Sequence, residues 1–244
     1  MEPLAPPALP FEVLYLDNHL LVVIKPAGLL VQADATGDPD LLTLGKAYLK
    51  GRFDKPGNVF LGLVHRLDRP VSGVMVLART SKAAGRLSAQ FRQRDPDKRY
   101  LALAEGRLEG AGEREDHLAK LDRTVRVVKP THPEGKRAVL RWRALGQDRM
   151  QRKGLVTLVD VELVTGRAHQ VRAQLAAMGH PLLGDLRYGA RQEFDGRNLA
   201  LHSYALTVEH PTRREPMTFT ALPPPSWRDF FPALVHETVA GAAE

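Results

Sequence analysis

The segment His65-Arg66-Leu67-Asp68-Arg69 sets one carboxylate among basic side chains just ahead of an apolar run, Gly73-Val74-Met75-Val76-Leu77-Ala78. On extended backbone Arg66 and Asp68 share a face, where an arginine keeps a carboxylate ionised and orients it. Such a pair serves catalysis or stands as a structural ion pair at a strand entrance, and the segment alone allows both. A second group, Thr165-Gly166-Arg167-Ala168-His169-Gln170-Val171-Arg172, runs from a glycine turn into a helix that opens on cations. Cations there oppose the helix dipole by roughly 0.3–1 kcal/mol each. They answer an anion, carboxylate or phosphate, or else turn sideways into solvent. The third group is Lys98-Arg99-Tyr100, with Tyr100 alternating with Ala102 and Ala104. That tyrosine is either a core residue or a ring contact for a ligand.

The elements that must position these groups follow from periodicity and breakers. Strands are expected over 20–24, 73–78, 100–104, 139–144, 155–164, 199–208 and 217–221. The run over 155–164 alternates with period two. Helices are expected over 41–49, 81–94 and 169–178. In the second, Ser81 serves as N-cap and Ala83, Ala84, Leu87 and Phe91 form the apolar stripe. In the third, Gly179 is the stop. Residues 105–135, rich in charge, Gly and Pro, read as a mobile loop or hairpin. Pro223-Pro224-Pro225 ends the regular part, and the last residues are expected to fray. Strands outnumber helices without strict alternation, so the fold class is α+β.

Composition narrows the chemistry. The 244 residues are 43% hydrophobic and 26% charged, without an apolar run near the roughly 20 residues of a membrane helix. With no basic leader ahead of an apolar stretch, a cytoplasmic setting is expected. There are no cysteines, which excludes disulfides, thiol nucleophiles and cysteine-ligated zinc. The net charge is +7, and residues 51–130 carry 17 basic against 10 acidic groups. A basic middle third is a field for polyanions, usually phosphate backbones, although it also serves solubility. No P-loop, dinucleotide fingerprint, nucleophile elbow or His-x-x-x-His metal spacing occurs.

Taken in order, these segments resemble the RluA-type pseudouridine synthases. Leu20-Leu21-Val22-Val23-Ile24-Lys25-Pro26-Ala27-Gly28 is similar to the family's first strand and turn. His65-Arg66-Leu67-Asp68-Arg69-Pro70-Val71-Ser72-Gly73 resembles its signature segment, and Lys98-Arg99-Tyr100 its Lys-x-Tyr. Gly135-Lys136-Arg137-Ala138, Gly166-Arg167-Ala168-His169-Gln170-Val171-Arg172, Gly179-His180-Pro181-Leu182-Leu183-Gly184-Asp185, Tyr188-Gly189 and Leu201-His202-Ser203 follow in family order. Val71 and Ala168 stand where the family carries threonine, which removes two hydroxyls near the site. The leading His65, in place of glycine, separates the chain from RsuA-type relatives.

The resemblance implies a pseudouridine synthase fold with a largely antiparallel, mixed central sheet flanked by helices and loops. Residues 1–10 would form an extended tail, 11–222 the catalytic domain, and 223–244 a Pro-rich end with a flexible tail. No room exists before residue 11 for an S4-type RNA-binding domain, which favours a compact stem-loop as target. The implied activity is isomerisation of uridine to pseudouridine in structured RNA, ribosomal or transfer, by a monomer needing no cofactor, metal or protein partner. Asp68 would be the essential carboxylate, Arg167 its ion-pair partner and Tyr100 the residue against the uracil ring. Arg66, His65, Arg69, Lys98, His169 and Arg172 would contact the RNA, with Arg66 filling the gap left by a flipped base. Lys82, Arg86, Arg92 and Arg94 would hold the backbone. The rival expectation is an RNA-binding or ribosome-assembly protein without turnover.

Overall fold

The computed structural model describes residues 9–93, 96–122, 124–151, 153–196 and 198–243. Residues 1–8 of the expected tail, Arg94 of the expected basic helix and Glu244 at the chain's end lie outside them. In chain order come β1 (Glu12–Leu16), β2 (Leu20–Lys25), α1 (Leu41–Arg52), β3 (Gly62–Leu63), β4 (Ser72–Ala78), α2 (Ser81–Gln93) and β5 (Asp97–Glu105). There follow β6 (Ala111–Leu121), β7 (Thr124–Val128), β8 (Lys136–Met150), β9 (Gly154–Leu163), α3 (Gln170–Ala177), β10 (Leu201–Glu209), β11 (Pro216–Thr220) and α4 (Pro232–Gly241).

The strands form one sheet in the order β1-β2-β4-β10-β5-β9-β8-β6-β7, with β3 on β4 and β11 on β10. The strand pairs are antiparallel except β4 with β10, which run parallel through Ser72–His202 and Gly73–Ser203. The sheet is therefore mixed and largely antiparallel, as expected. Gly73 makes that parallel junction possible. Its φ is +129°, and a β-carbon there would lie 2.3 Å from the Ser203 carbonyl oxygen, so no side chain fits. The junction sets the start of β4, and with it the Asp68 loop, beside Ser203, which pairs with Tyr100 of β5.

Alternation assigns the two faces. On one, Leu21, Val23, Met75, Leu77, Tyr100, Ala102, Val159 and Val161 pack with Leu41 and Leu49 of α1 and Val171 and Leu175 of α3; Leu67 and Val71 join them. On the other, Leu20, Val22, Val74, Val76 and Leu206 pack under Ala83 and Leu87 of α2. Helix α2 thus covers the face away from Leu67, and its expected backbone contacts Lys82, Arg86 and Arg92 are carried there with it. Its cap is Thr80, whose hydroxyl accepts from the Ala83 amide at 3.1 Å, and not Ser81. Gly179, at φ +87°, ends α3 as expected: its amide donates to Ala176 O and that of His180 to Leu175 O.

One open expectation is resolved in favour of the hairpin, and one expectation changes. The charged stretch 105–135 is a hairpin of β6 and β7 leading into β8, stitched by Arg137 to Glu115 at 2.9 and 2.8 Å and by Arg141 to Glu113 at 3.1 Å. The end expected to be flexible carries α4, with Pro232 inside its first turn. Trp227, Phe230, Val235 and Val239 bury against Leu101, Leu103, Leu158 and Tyr204. Burial of that many large side chains outweighs the Ala/Gly-rich composition of the last residues. Among the described residues no helix is long and apolar enough to cross a membrane.

Candidate active site

Asp68 sits in the loop between β3 and β4. A turn closed by the Val71 amide on Asp68 O at 3.1 Å fixes its backbone, and the adjacent Leu67 is anchored in the core. From below, Lys25 at the end of β2 donates its ammonium to Pro26 O (2.8 Å), Leu29 O (2.8 Å) and Arg69 O (3.1 Å), tying the 26–29 turn to the Asp68 loop. Those acceptors use all three N–H groups of Lys25. Burial pushes its pKa down to about 7, with the Asp68 carboxylate pulling the other way.

The cation that holds Asp68 is Arg172. Its Nη1 donates to Asp68 Oδ2 at 2.9 Å, while Nε and Nη2 grip both oxygens of Asp185 at 2.7 and 2.9 Å. One guanidinium fork therefore spans two carboxylates. Burial opposes its charge, and the Asp185 and Asp68 hydrogen bonds outweigh burial, so the Arg172 pKa is raised. This corrects two expectations. Arg172 is buried and faces the carboxylates rather than an RNA backbone. The expected partner, Arg167, lines the pocket, but its Nε donates to Arg137 O at 2.9 Å. The local fold explains the exchange. Helix α3 begins at Gln170, not at Arg167, and Thr165 and Gln170 lock the turn to Val139 of β8. That lock turns Arg172, in the first turn of a buried helix, toward Asp68.

His169 precedes α3 at φ +51°. Its Nε2 faces Asp68 Oδ2 at 3.6 Å and its Nδ1 meets the Tyr188 hydroxyl at 2.7 Å. Burial lowers its pKa; Asp68 raises it and Arg172 lowers it further. Tyr100 is buried beside Asp68. Burial pushes its phenol up to about 12, which contact with Ser203 offsets in part, and it keeps its proton at neutral pH. Val71 is buried in the pocket wall, whereas Ala168 is exposed.

Asp68, Tyr100, Arg167, His169 and Arg172 line a chamber of about 60 Å³. It adjoins a cleft of about 720 Å³ with Arg66, Asp68, His169 and Arg172 in common. Arg66, Arg69 and Arg187 are exposed along that cleft. Arg69 pairs with Asp38 at 2.7 Å and donates to Gly28 O at 3.0 Å. Arg66 makes no hydrogen bond or ion pair among the described residues and is free to swing.

Two expected RNA contacts stand away from the cleft. Lys98 is buried in β5, with its ammonium 3.9 Å from where a Gly166 β-carbon would lie. His65 stacks on Phe91 of α2 at 4.6 Å and accepts from the Val76 amide at 3.0 Å. Burial pushes His65 down to about 3 and His202 down to about 4, the latter between Ser72 Oγ and Ala221 O. Both are neutral in the fold and titrate near 6.5 when unfolded. Below pH about 6.5 the unfolded chain binds more protons than the folded one, so stability falls with pH by up to about 1.4 kcal/mol per unit per histidine. The melting temperature is expected to drop from pH 7 to pH 5, and His202→Asn to flatten the drop; calorimetry giving one Tm at both pH values would contradict this.

Asp185 and Tyr188 belong to the site without having been singled out for a role; the Gly184-Asp185 and Tyr188-Gly189 pattern was their only signal. Comparison with known proteins gives the family. Residues 19–177 match the family described as RNA pseudouridylate synthase. Ribosomal large subunit pseudouridine synthase D of Xanthomonas campestris is 36% identical, over 98% of this chain and 74% of its own length. Dual-specificity RNA pseudouridine synthase RluA of Haemophilus influenzae is 35% identical, over 88% and 95%. Human RNA Pseudouridylate Synthase Domain Containing 1, a solved structure, superposes with a TM-score of 0.71 at 26% identity, over 95% of this chain and 89% of that one. The matched stretch holds Asp68, Tyr100 and Arg172 together, and the chain belongs to the RNA pseudouridylate synthase family, whose members isomerise uridine in RNA to pseudouridine.

Proposed function

We propose that this chain, as a cytoplasmic monomer, converts one or a few uridines in a stem-loop of ribosomal or transfer RNA, with Asp68 as the reacting carboxylate. The observation that carries the proposal is the Asp68–Arg172 pair, 2.9 Å apart, beside the buried Tyr100 and open to a basic cleft. The names of the relatives support ribosomal RNA, and the dual-specificity relative supports more than one RNA on such a scaffold.

The reaction breaks the C1′–N1 bond, turns the uracil, joins C1′ to C5 and releases the C5 proton. Arg172 orients Asp68 toward the incoming nucleoside. Tyr100, a neutral phenol, supplies a ring face and a hydroxyl at the chamber wall. Arg66 is the unrestrained group at the mouth of the chamber. Flipping the uridine costs a few kcal/mol, and a guanidinium stacked in the vacated position offsets part of that cost. Arg69, Arg187 and the outer part of Arg66 take phosphates. If these three each engage one, affinity falls roughly 20- to 40-fold between 50 and 200 mM salt; a flat response in filter binding would remove the phosphate-tracking role. The target itself is tested by mapping pseudouridines in a deletion strain: one or a few positions should be lost, and purified protein should restore them in the extracted RNA. An unchanged map would overturn the assignment.

A further inference from the structure

A line of polar contacts runs from the β6–β7 hairpin to Asp68. The Val125 amide of β7 donates to the Tyr188 hydroxyl at 3.0 Å, and that hydroxyl meets His169 Nδ1 at 2.7 Å. His169 Nε2 then faces Asp68 Oδ2 at 3.6 Å. Tyr188 is keyed in place by packing against Leu118, Val125, Ala138 and Ala173, and its ring lies 4.9 Å from the Arg172 guanidinium carbon.

Hydrogen-bond direction along this line is determined by its two ends. The Val125 N–H occupies the Tyr188 oxygen as a donor, and a phenol has a single proton to give. Among the described residues the acceptor within reach of that proton is His169 Nδ1. A neutral His169 accepting at Nδ1 carries its proton on Nε2. The other end selects the same tautomer, since a bare Nε2 lone pair would face the Asp68 carboxylate. Burial favours the neutral ring that this scheme requires.

We propose that Tyr188 is a positioning residue that fixes His169 as an Nε2–H donor toward Asp68, opposite the grip of Arg172. This rests on the reading of Asp68 as the reacting carboxylate. Asp68 Oδ2 then lies between a guanidinium and an imidazole N–H, which leaves Oδ1 to the substrate. The 3.6 Å separation is longer than a hydrogen bond, and contacts of this kind shorten when substrate closes the site. Because the line starts at the hairpin, the setting of His169 depends on how β7 seats against Tyr188.

Long-range ¹H–¹⁵N correlation of the histidine rings reads the tautomer in the wild-type protein, with His169 assigned by its loss in His169→Ala. The expected spectrum shows a protonated Nε2 and an unprotonated Nδ1. Tyr188→Phe should weaken the Nε2–H preference of His169, which Asp68 alone then maintains, and lower kcat about tenfold with KM unchanged, and it should cost nothing further in the His169→Ala background. An Nδ1–H tautomer in the wild type would overturn the proposal. So would an unchanged kcat in Tyr188→Phe, or an equal loss of kcat with and without His169, which marks a merely structural tyrosine. Asp68→Asn separates the two readings: full turnover by that variant removes the reacting-carboxylate assignment whatever the tautomer.

Discussion

Asp68→Asn is expected to lower pseudouridine formation by at least about a thousandfold while RNA affinity stays within about threefold of wild type. The amide keeps the shape of the carboxylate and can still accept from Arg172 Nη1. Arg172 itself remains clamped by Asp185 at 2.7 and 2.9 Å, so the fold and the cleft persist. What disappears is the negative charge that meets the nucleoside. The phosphate contacts lie on Arg66, Arg69 and Arg187, outside that exchange, and the loss of one acidic group beside a polyanion leaves affinity equal or slightly higher. Single-turnover kinetics and Kd by filter binding, measured on the same preparation, check both halves. A variant that loses binding and turnover together would place Asp68 in the fold and not in the chemistry.

The second large effect concerns Arg172. Arg172→Met removes the one cation shared by Asp68 and Asp185 and leaves the buried Asp185 beside apolar surface. Breaking a buried ion pair from one side costs about 3–5 kcal/mol, a large fraction of a total stability of about 5–15 kcal/mol. Denaturant unfolding should show that loss, together with turnover reduced at least about a hundredfold. Arg172→Lys keeps the charge but not the fork, and an intermediate outcome is expected. Adding Asp185→Leu to Arg172→Met removes the orphaned carboxylate and should recover much of the stability with no recovery of turnover. If activity returned with stability, Arg172 would act only through the fold.

Much of the site is written in local pattern. Alternation along 66–68 places Arg66 and Asp68 on the cleft with Leu67 in the core, and the Tyr100-Ala102-Ala104 alternation carries Tyr100 to the same face of the sheet. The breaker residues marked most element ends, including Gly179. Where reading failed, the deciding contact was remote. Arg167 and Arg172 flank the same histidine, and nothing local says which one meets Asp68. That choice is made by Gln170 and Thr165 binding Val139, and by Asp185 arriving thirteen residues later to clamp Arg172. His65 stood beside Arg66 in the chain, yet its ring is claimed by Phe91 and Val76, partners on the far face. Lys98 was expected at the RNA from its place in the Lys-x-Tyr motif, and here β5 buries it. Helix α4 was hidden by the Pro223-Pro224-Pro225 stop ahead of it and by the Ala/Gly-rich last residues, although Pro232 is well placed in the helix's first turn. β1 was missed because its residues are half-exposed on an edge, without the alternation that marks a strand.

Release of tritium from C5-labelled uridine in target RNA follows the bond change itself and is the most direct test of the claim that Asp68 carries the isomerisation. With EDTA present, the wild-type protein should release label until the target positions are exhausted, and Asp68→Asn, folded and bound to the same RNA, should release none above background. Release by Asp68→Asn at the wild-type rate would contradict the account.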